Sequence, residues 1–287
     1  MKHPQELAEE ERAIASMVQL TSIFEGIASM RITQIKDQVK QSEQFFDELW
    51  HIYSQLRVDT QFRFGRTPGQ KIFNKDLYIV ITAEGGFSGD IDQKLINMML
   101  KNYDAQTNEI IVVGHHGAIQ LAQSGVNFKK YYKMPPKDKN IDTNALVKEI
   151  QQYKTSTVYY QTYVSLMVQD VKRLPLGSAI QKRGQSSDAE KAEFISESNY
   201  IFEPSTFAVV DHLERSMVQI MLRQLILESK LAQYASRFQA MTVAHTHADD
   251  TMREVHLLYN HAKRAVKDER LKEITNGLRQ IKAGASP

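Results

Sequence analysis

Apolar positions spaced alternately three and four residues apart run through the last third of the chain. They are Val210, Leu213, Met217, Ile220, Gln224, Leu227, Leu231, Tyr234, Phe238, Met241, His245, Ala248, Met252, Val255, Tyr259, Ala262 and Val266. Only Gln224 and His245 break this seam, and no glycine or proline falls between Ser205 and Asn276. A heptad pattern sustained this long predicts a coiled-coil helix rather than a globular core helix. At 1.5 Å rise per residue it would be on the order of 110 Å long, so it must project from any domain of this size. A second long helix is predicted from Gln5 to Leu56, after Pro4 and with Gly26 as its only interior breaker. Its later half places Ile32, Ile35, Val39, Phe46, Leu49, Tyr53 and Leu56 close to a 3.5-residue period. The two stripes bury each other if the helices pair antiparallel, and neither stripe is stable exposed to water.

The pattern changes between these helices. Gly65, Pro68 and Gly69 punctuate the end of the first helical region. Leu77-Tyr78-Ile79-Val80-Ile81 is a short β-branched apolar run that predicts a buried strand, followed by a turn over Gly85–Gly89. Helical spacing returns over Asp90–Asn102, with Ile91, Leu95, Met98 and Met99 on one face. Strands are predicted over Glu109–Gly114 and Phe128–Lys133, with a short helix over Ala118–Ser124 between them. Asp142 or Thr143 can cap a helix reaching Tyr153. Thr157–Arg173 reads as one long strand or a hairpin, and the polar segment Gly177–Asp188 as a mobile loop. Alternating strands and helices imply a mainly parallel sheet with helices on its faces, an α/β domain.

Composition narrows the function classes. The chain has 287 residues, room for one or two domains, and a net charge of +2, so bulk electrostatic capture of nucleic acid is not indicated. The absence of cysteine removes disulfides, thiolate metal sites and cysteine nucleophiles. Met1–Arg12 is acidic with no apolar core, which predicts no signal peptide, and no run approaching a membrane span is expected.

Candidate chemistry is sparse. Thr82–Gly89 follows a strand and precedes a helix, where a phosphate loop would sit, but it matches neither a G-x-G-x-x-G nor a Gly-Lys-Ser/Thr loop. Glu84 and Asp90 flank it and would repel phosphate, so a structural turn is the favoured reading. His245 and His247 lie two apart on a helix and point to different sides, which disfavours chelation. A polar residue at the seam position of His245 fixes register. His115-His116 follows the second strand, and neither pair predicts a metal. No Ser/His/Asp or paired-carboxylate constellation stands out, so no catalytic residue and no cofactor is assigned. Lys263–Lys282 carries seven basic residues against three acidic ones, which reads either as a solvated helix tip or as a contact for acidic loops of a partner.

Several segments resemble the gamma subunit of F-type ATP synthases, the family of central rotor shafts. Phe202-Glu203-Pro204-Ser205 is similar to that family's YEPS, Leu227-Glu228-Ser229 to its LES, and Ser236–Met241 to its ARMxAM. Leu257–Arg264 resembles its LxYNKARQ, and Leu271-Lys272-Glu273-Ile274 with Gly277 its LxEIxxG. These fall in register without a gap. Ile81–Asp90 resembles the TSDRGLCGG segment, Leu174-Pro175-Leu176 the LLPL, and Thr21–Glu25 loosely the TKAME. The chain departs from the family at Gln19 and Ser22, where lysines stand, at Gly85 in place of an arginine, and at Asp268 and Arg270 in its ITxE.

The resemblance implies a central Rossmann-like, mainly parallel sheet domain over 70–200. It would be flanked by helices over 5–56 and 205–282 wound into a long antiparallel coiled coil. It implies a non-catalytic part in ATP synthesis and hydrogen-ion transport, at the cytoplasmic face of the plasma membrane or an organellar inner-membrane equivalent. The implied partners are three alpha and three beta subunits, an epsilon subunit and the membrane c-ring, with no nucleic acid. The implied contact residues are Arg237, Met241, Asn260, Lys263, Arg264, Lys267 and Arg270. A shaft of an alternative ion-pumping ATPase, a coiled-coil adaptor, and a stand-alone α/β small-molecule enzyme are the other readings.

Overall fold

The computed structural model describes residues 3–56, 64–66, 71–138, 141–186, 203 and 205–283. The elements in chain order are α1 (Pro4–Gln55), β1 (Phe73–Ile81), α2 (Ile91–Leu100), β2 (Asn108–Val113), α3 (His115–Gln123), β3 (Lys130–Tyr132), α4 (Asn144–Ile150), β4 (Tyr153–Tyr163), β5 (Gln169–Pro175), α5 (Leu176–Ser186) and α6 (Thr206–Ala283). The chain divides into two compact units, one of Met1–Gly26 with Ala240–Pro287 and one of Ile27–Gln239.

The first unit is a helix pair. Leu7 of α1 packs with Val255 and Ala262 of α6, and Ile14 and Tyr259 lie against them. The polar contacts descend along α6 as they ascend α1. Glu11 meets His256 Nδ1 at 2.7 Å, His245 Nδ1 lies 3.2 Å from the Val18 carbonyl, and Thr242 donates to Glu25 at 2.8 Å. That order makes the pair antiparallel. His245 also lies 3.3 Å from Thr21 Oγ1, so this half-buried seam position carries the polar register contact expected of it. Every seam position from Val210 to Val266 is buried or half-buried.

The second unit holds the sheet, in strand order β3-β2-β1-β4-β5. The β1–β2, β2–β3 and β1–β4 pairs are parallel, and only β4–β5 is antiparallel. Strand β1 is apolar throughout its second half because both faces are covered. Leu77, Ile79 and Ile81 belong to a core with Leu146, Val147 and Ile150 of α4, Leu176 and Ile180 of α5, Ile35 and Phe46 of α1, and Met217–Ala235 of α6. Tyr78 and Val80 point the other way, into a core with Leu95, Ile96 and Met99 of α2 and Leu121 of α3. In this unit α6 is more than a seam. From Met217 to Ser236 it is buried on almost every side, including polar Gln224, Ser229, Lys230 and Gln233.

Several expectations change. The segment from Gly177 is not a loop but most of α5, while 187 and 188 lie outside the described residues. Leu176 and Ile180, four apart and both fully buried, supply the apolar anchors that a polar composition concealed. The helix starting after Thr143 ends at Ile150, because Tyr153 opens β4 beside Phe73. Thr143 precedes it without capping; its hydroxyl bonds the Gln219 carbonyl, and Asp142 accepts from the Asn144 N–H at 2.9 Å. The last helix continues through Gly277 to Ala283, one residue beyond the expected end at 282, since a single glycine in open space does not stop it. The Thr157–Arg173 stretch is a hairpin. An 18-residue window of α1 has a mean hydropathy of 1.3 and is only 6% buried, so among the described residues one helix is, by length and composition, apolar enough to cross a membrane. Its off-seam residues Met17, Leu20 and Ile23 raise the hydropathy above what the seam alone suggests. Pro68, Gly69, Phe202 and Pro204 lie outside the described residues.

Candidate functional site

The turn after β1 leads into a buried polar network. Asp92, in the first turn of α2, is 1% exposed. Its carboxylate accepts from the Ala83 N–H at 3.3 Å, from Gln161 Nε2 of β4 at 2.5 Å, and from His116 Nδ1 of α3 at 2.7 Å. Gln161 Oε1 in turn accepts from Ser229 Oγ and from Gln233 Nε2 of α6, the latter at 3.1 Å. Ser229 and Gln233 are four apart on one face of the helix. One turn further on, Ser236 Oγ donates to the Ser88 carbonyl at 2.6 Å, while Arg237 donates to the Gly86 carbonyl and to Ser88 Oγ. Between those tethered residues Phe87 sits at φ 66°, a conformation costly for an aromatic residue. Thr162 of β4 also donates to Glu228.

Hydrogen bonding to Asp92 raises the His116 imidazole above its ordinary value of 6.5, against partial desolvation. A group raised in the folded state contributes stability that is complete below its unfolded value and is lost as pH rises through the folded value. The chain should therefore lose stability toward urea as pH rises from about 6.5, and His116→Gln should remove that part of the loss. Urea midpoints of both proteins across this range check it, and identical pH slopes would exclude the contribution.

Two further buried charges brace the same unit. Lys230 of α6, side chain 6% exposed, bonds Asp138 and the Pro135 carbonyl, and Arg31 of α1 reaches Asp138 at 3.4 Å. Glu214 of α6 accepts from Tyr53 of α1 and from the Gly65 N–H. At the opposite end of the sheet from the β1 turn, Tyr153 donates to Glu109 at 2.5 Å and accepts from Lys129 at 2.5 Å. The Tyr153 bond is the first cause holding Glu109 below the usual carboxylate range, and burial first, then Glu109, pushes the Tyr153 phenol up.

The turn does not resemble a phosphate cradle. Glu84, half-buried, accepts from the His115 and Met134 N–H groups and from Tyr131. Among the described residues no group of three or more His, Asp and Glu side chains could hold a metal. A groove of about 550 Å³ is lined in part by Phe45, Leu49, Asp142, His212, Ser216 and Arg223.

The expected contact residues fall into two groups. Arg237 is tied to the turn and stacks over Tyr234, and Met241 is buried. Lys263, Arg264, Lys267 and Arg270 are exposed near the C-terminal end of α6, and Asn260 is half-exposed beside them. Lys263 lies over the Tyr259 ring, 5.5 Å from its centre. The Asp92 network escaped sequence reasoning, although a glutamine amid the Val, Tyr and Thr residues of β4 was a usable signal.

The family profile described as ATP synthase matches residues 4–281. The ATP synthase gamma chain of Mycoplasmoides gallisepticum is 24% identical over 297 aligned positions, covering 100% of both chains. That of Chloroherpeton thalassium is also 24% identical, covering 96% of each. Among solved structures, a chain of the Euglena gracilis mitochondrial ATP synthase rotor superposes with a TM-score of 0.63 at 15% identity, over 92% of this chain and 98% of that one. A chain from the central stalk and c-ring of the Tetrahymena thermophila enzyme gives 0.56 at 15% identity, over 78% and 99%. With two long helices flanking a mostly parallel five-stranded sheet, and a profile match over nearly its whole length, the chain belongs to the ATP synthase family, where its relatives are gamma chains.

Proposed function

We infer that this chain is the central rotor shaft of an F-type ATP synthase. It has a foot over 70–200 and paired helices over 5–56 and 205–282. The observation that carries the reading is the unbroken α6, a paired helix at one end and a core element of the sheet unit at the other. A helix locked into a globular unit can pass on a rotation applied to that unit. Ion flow turns the membrane c-ring; the foot, with epsilon, turns with it. The shaft then drives each beta subunit of a ring of three alpha and three beta subunits through its nucleotide-binding states. The ATP chemistry belongs to beta, and this chain contributes torque and asymmetry, with no catalytic group and no cofactor of its own. It is peripheral, on the cytoplasmic face of the plasma membrane or its organellar equivalent.

Asn260, Lys263, Arg264, Lys267 and Arg270 are the contacts toward acidic loops of beta, and Arg237 and Met241 support them from within the fold. The exposed Met17, Leu20 and Ile23 of α1 add an apolar surface that a surrounding partner would cover. A tagged pull-down from gently solubilised membranes should recover alpha and beta in threefold excess, with ATPase activity. Lys263→Glu should lower ATP-driven proton pumping, more so at low salt, where exposed charges are least screened. Recovery of the chain without ATPase subunits would overturn the reading.

A further inference from the structure

Within the sheet unit α6 is held by an apolar core and, beside it, by a buried polar network. Buried apolar contacts are non-directional, so a helix held by them alone can rotate or slide by small amounts at little cost. Hydrogen bonds have preferred angles and leave costly unsatisfied groups when displaced. Gln161 joins the two sides: its amide nitrogen donates to Asp92 on α2, and its oxygen accepts from Ser229 and Gln233 on α6. Asp92, Gln161, Ser229 and Gln233 are all at most 5% exposed, so water cannot take over a broken bond. One turn along α6, Ser236 and Arg237 hold the β1 turn on the same helix. The strained Phe87 between their partners shows that this grip overrides the local backbone preference.

We propose that Gln161 is the positioning residue that sets the rotational register of α6 in the foot, with Asp92 on one side and Ser229 and Gln233 on the other, so that torque reaches the shaft through this hydrogen-bonded joint. The inference rests on the rotor reading. Asp92 orients the Gln161 amide; a neutral apolar side chain of similar size would fill the space but remove one of the donors to Asp92 and the shared acceptor of Ser229 and Gln233, leaving Asp92 with Ala83 and His116 and Gln233 with Ser229 alone. The joint then becomes torsionally soft while the apolar cores around it persist.

The test uses the complete ATPase with the alpha and beta ring immobilised and a bead on the foot. Gln161→Leu should raise the variance of the bead's angular fluctuations by roughly twofold or more, as buried bonds are replaced by unsatisfied groups. It should also lower protons pumped per ATP hydrolysed in vesicles. The double variant Asp92→Asn/Gln161→Glu, which exchanges carboxylate and amide across the bond, should return both readings toward wild type. A purely structural role would lower thermal stability without moving the angular variance. If Gln161→Leu does not assemble, Ser229→Ala, which deletes one hydroxyl, decides the matter by a smaller change in the same direction. Variance and pumping ratio equal to wild type in whichever of the two assembles would overturn the proposal. Failure of the unmodified chain to assemble with alpha and beta would instead overturn the rotor reading itself.

Discussion

Asp138→Ala should destabilise the full chain by about 3–5 kcal/mol, because it strands a buried ammonium. Lys230 emerges from the part of α6 that is buried on nearly every side, and its ammonium is satisfied by Asp138 and the Pro135 carbonyl. Without the carboxylate, one backbone carbonyl remains to balance a full charge. Arg31 cannot substitute, since it carries the same sign and its own contact with Asp138 is partly exposed. The double variant Asp138→Ala/Lys230→Met should recover most of the loss, because removing both charges also removes the desolvation cost that the pair had to offset. Urea denaturation of the dilute full chain measures both. An Asp138→Ala protein as stable as wild type would mean that the lysine escapes to water.

Gly114→Ala should be comparably damaging, at about 3–5 kcal/mol from backbone strain and overlap together. Gly114 closes β2 at φ 103°, where L-residues are strained, and a Cβ there would stand 2.1 Å from the Thr82 carbonyl oxygen. That oxygen is backbone at the end of β1, and the Thr82 N–H is already bonded to Val113 at 2.8 Å, so neither strand end can yield freely. Relief would require the β1 and β2 ends to part. Ala83 donates to Asp92 and His116 N–H to the Ala83 carbonyl, so the displacement would also loosen the polar network. The same urea experiment should show the pH dependence assigned to His116 weakened in this variant. An unchanged midpoint and pH slope would contradict the argument.

Much of the architecture was legible because it rests on periodicity. The alternating three-four seam of α6 and its counterpart in α1 can be buried only by a partner stripe, and every seam position is indeed covered. The apolar run Leu77–Ile81 read as a buried strand, and it is one, covered by helices on both faces. The α5 error shows the limit of composition: two buried anchors four residues apart were enough to hold a glycine-containing polar segment as helix once a core was present to receive them. The short α4 shows another, since Tyr153 was claimed by pairing in the sheet rather than by the helix before it.

What the sequence determined by itself was therefore most of the elements and their apolar faces, which follow from spacing along the chain, and a family resemblance, which rests on its motifs. The tertiary structure decided which polar residues became structural. Asp92, Gln161, Ser229 and Lys230 look like ordinary surface positions of two helices and a strand until α2 and α6 pack against the sheet and water is excluded from all four. Gln161 meets Asp92 69 residues away and Ser229 68 away, and Lys230 meets Asp138 92 away. Hydrogen-bond geometry over such separations is fixed by packing, and no local pattern encodes it. Lys263, Arg264, Lys267 and Arg270, by contrast, remain as exposed as their charges suggested. Lys263 rests over the Tyr259 ring, and all four lie exposed to water along the end of α6.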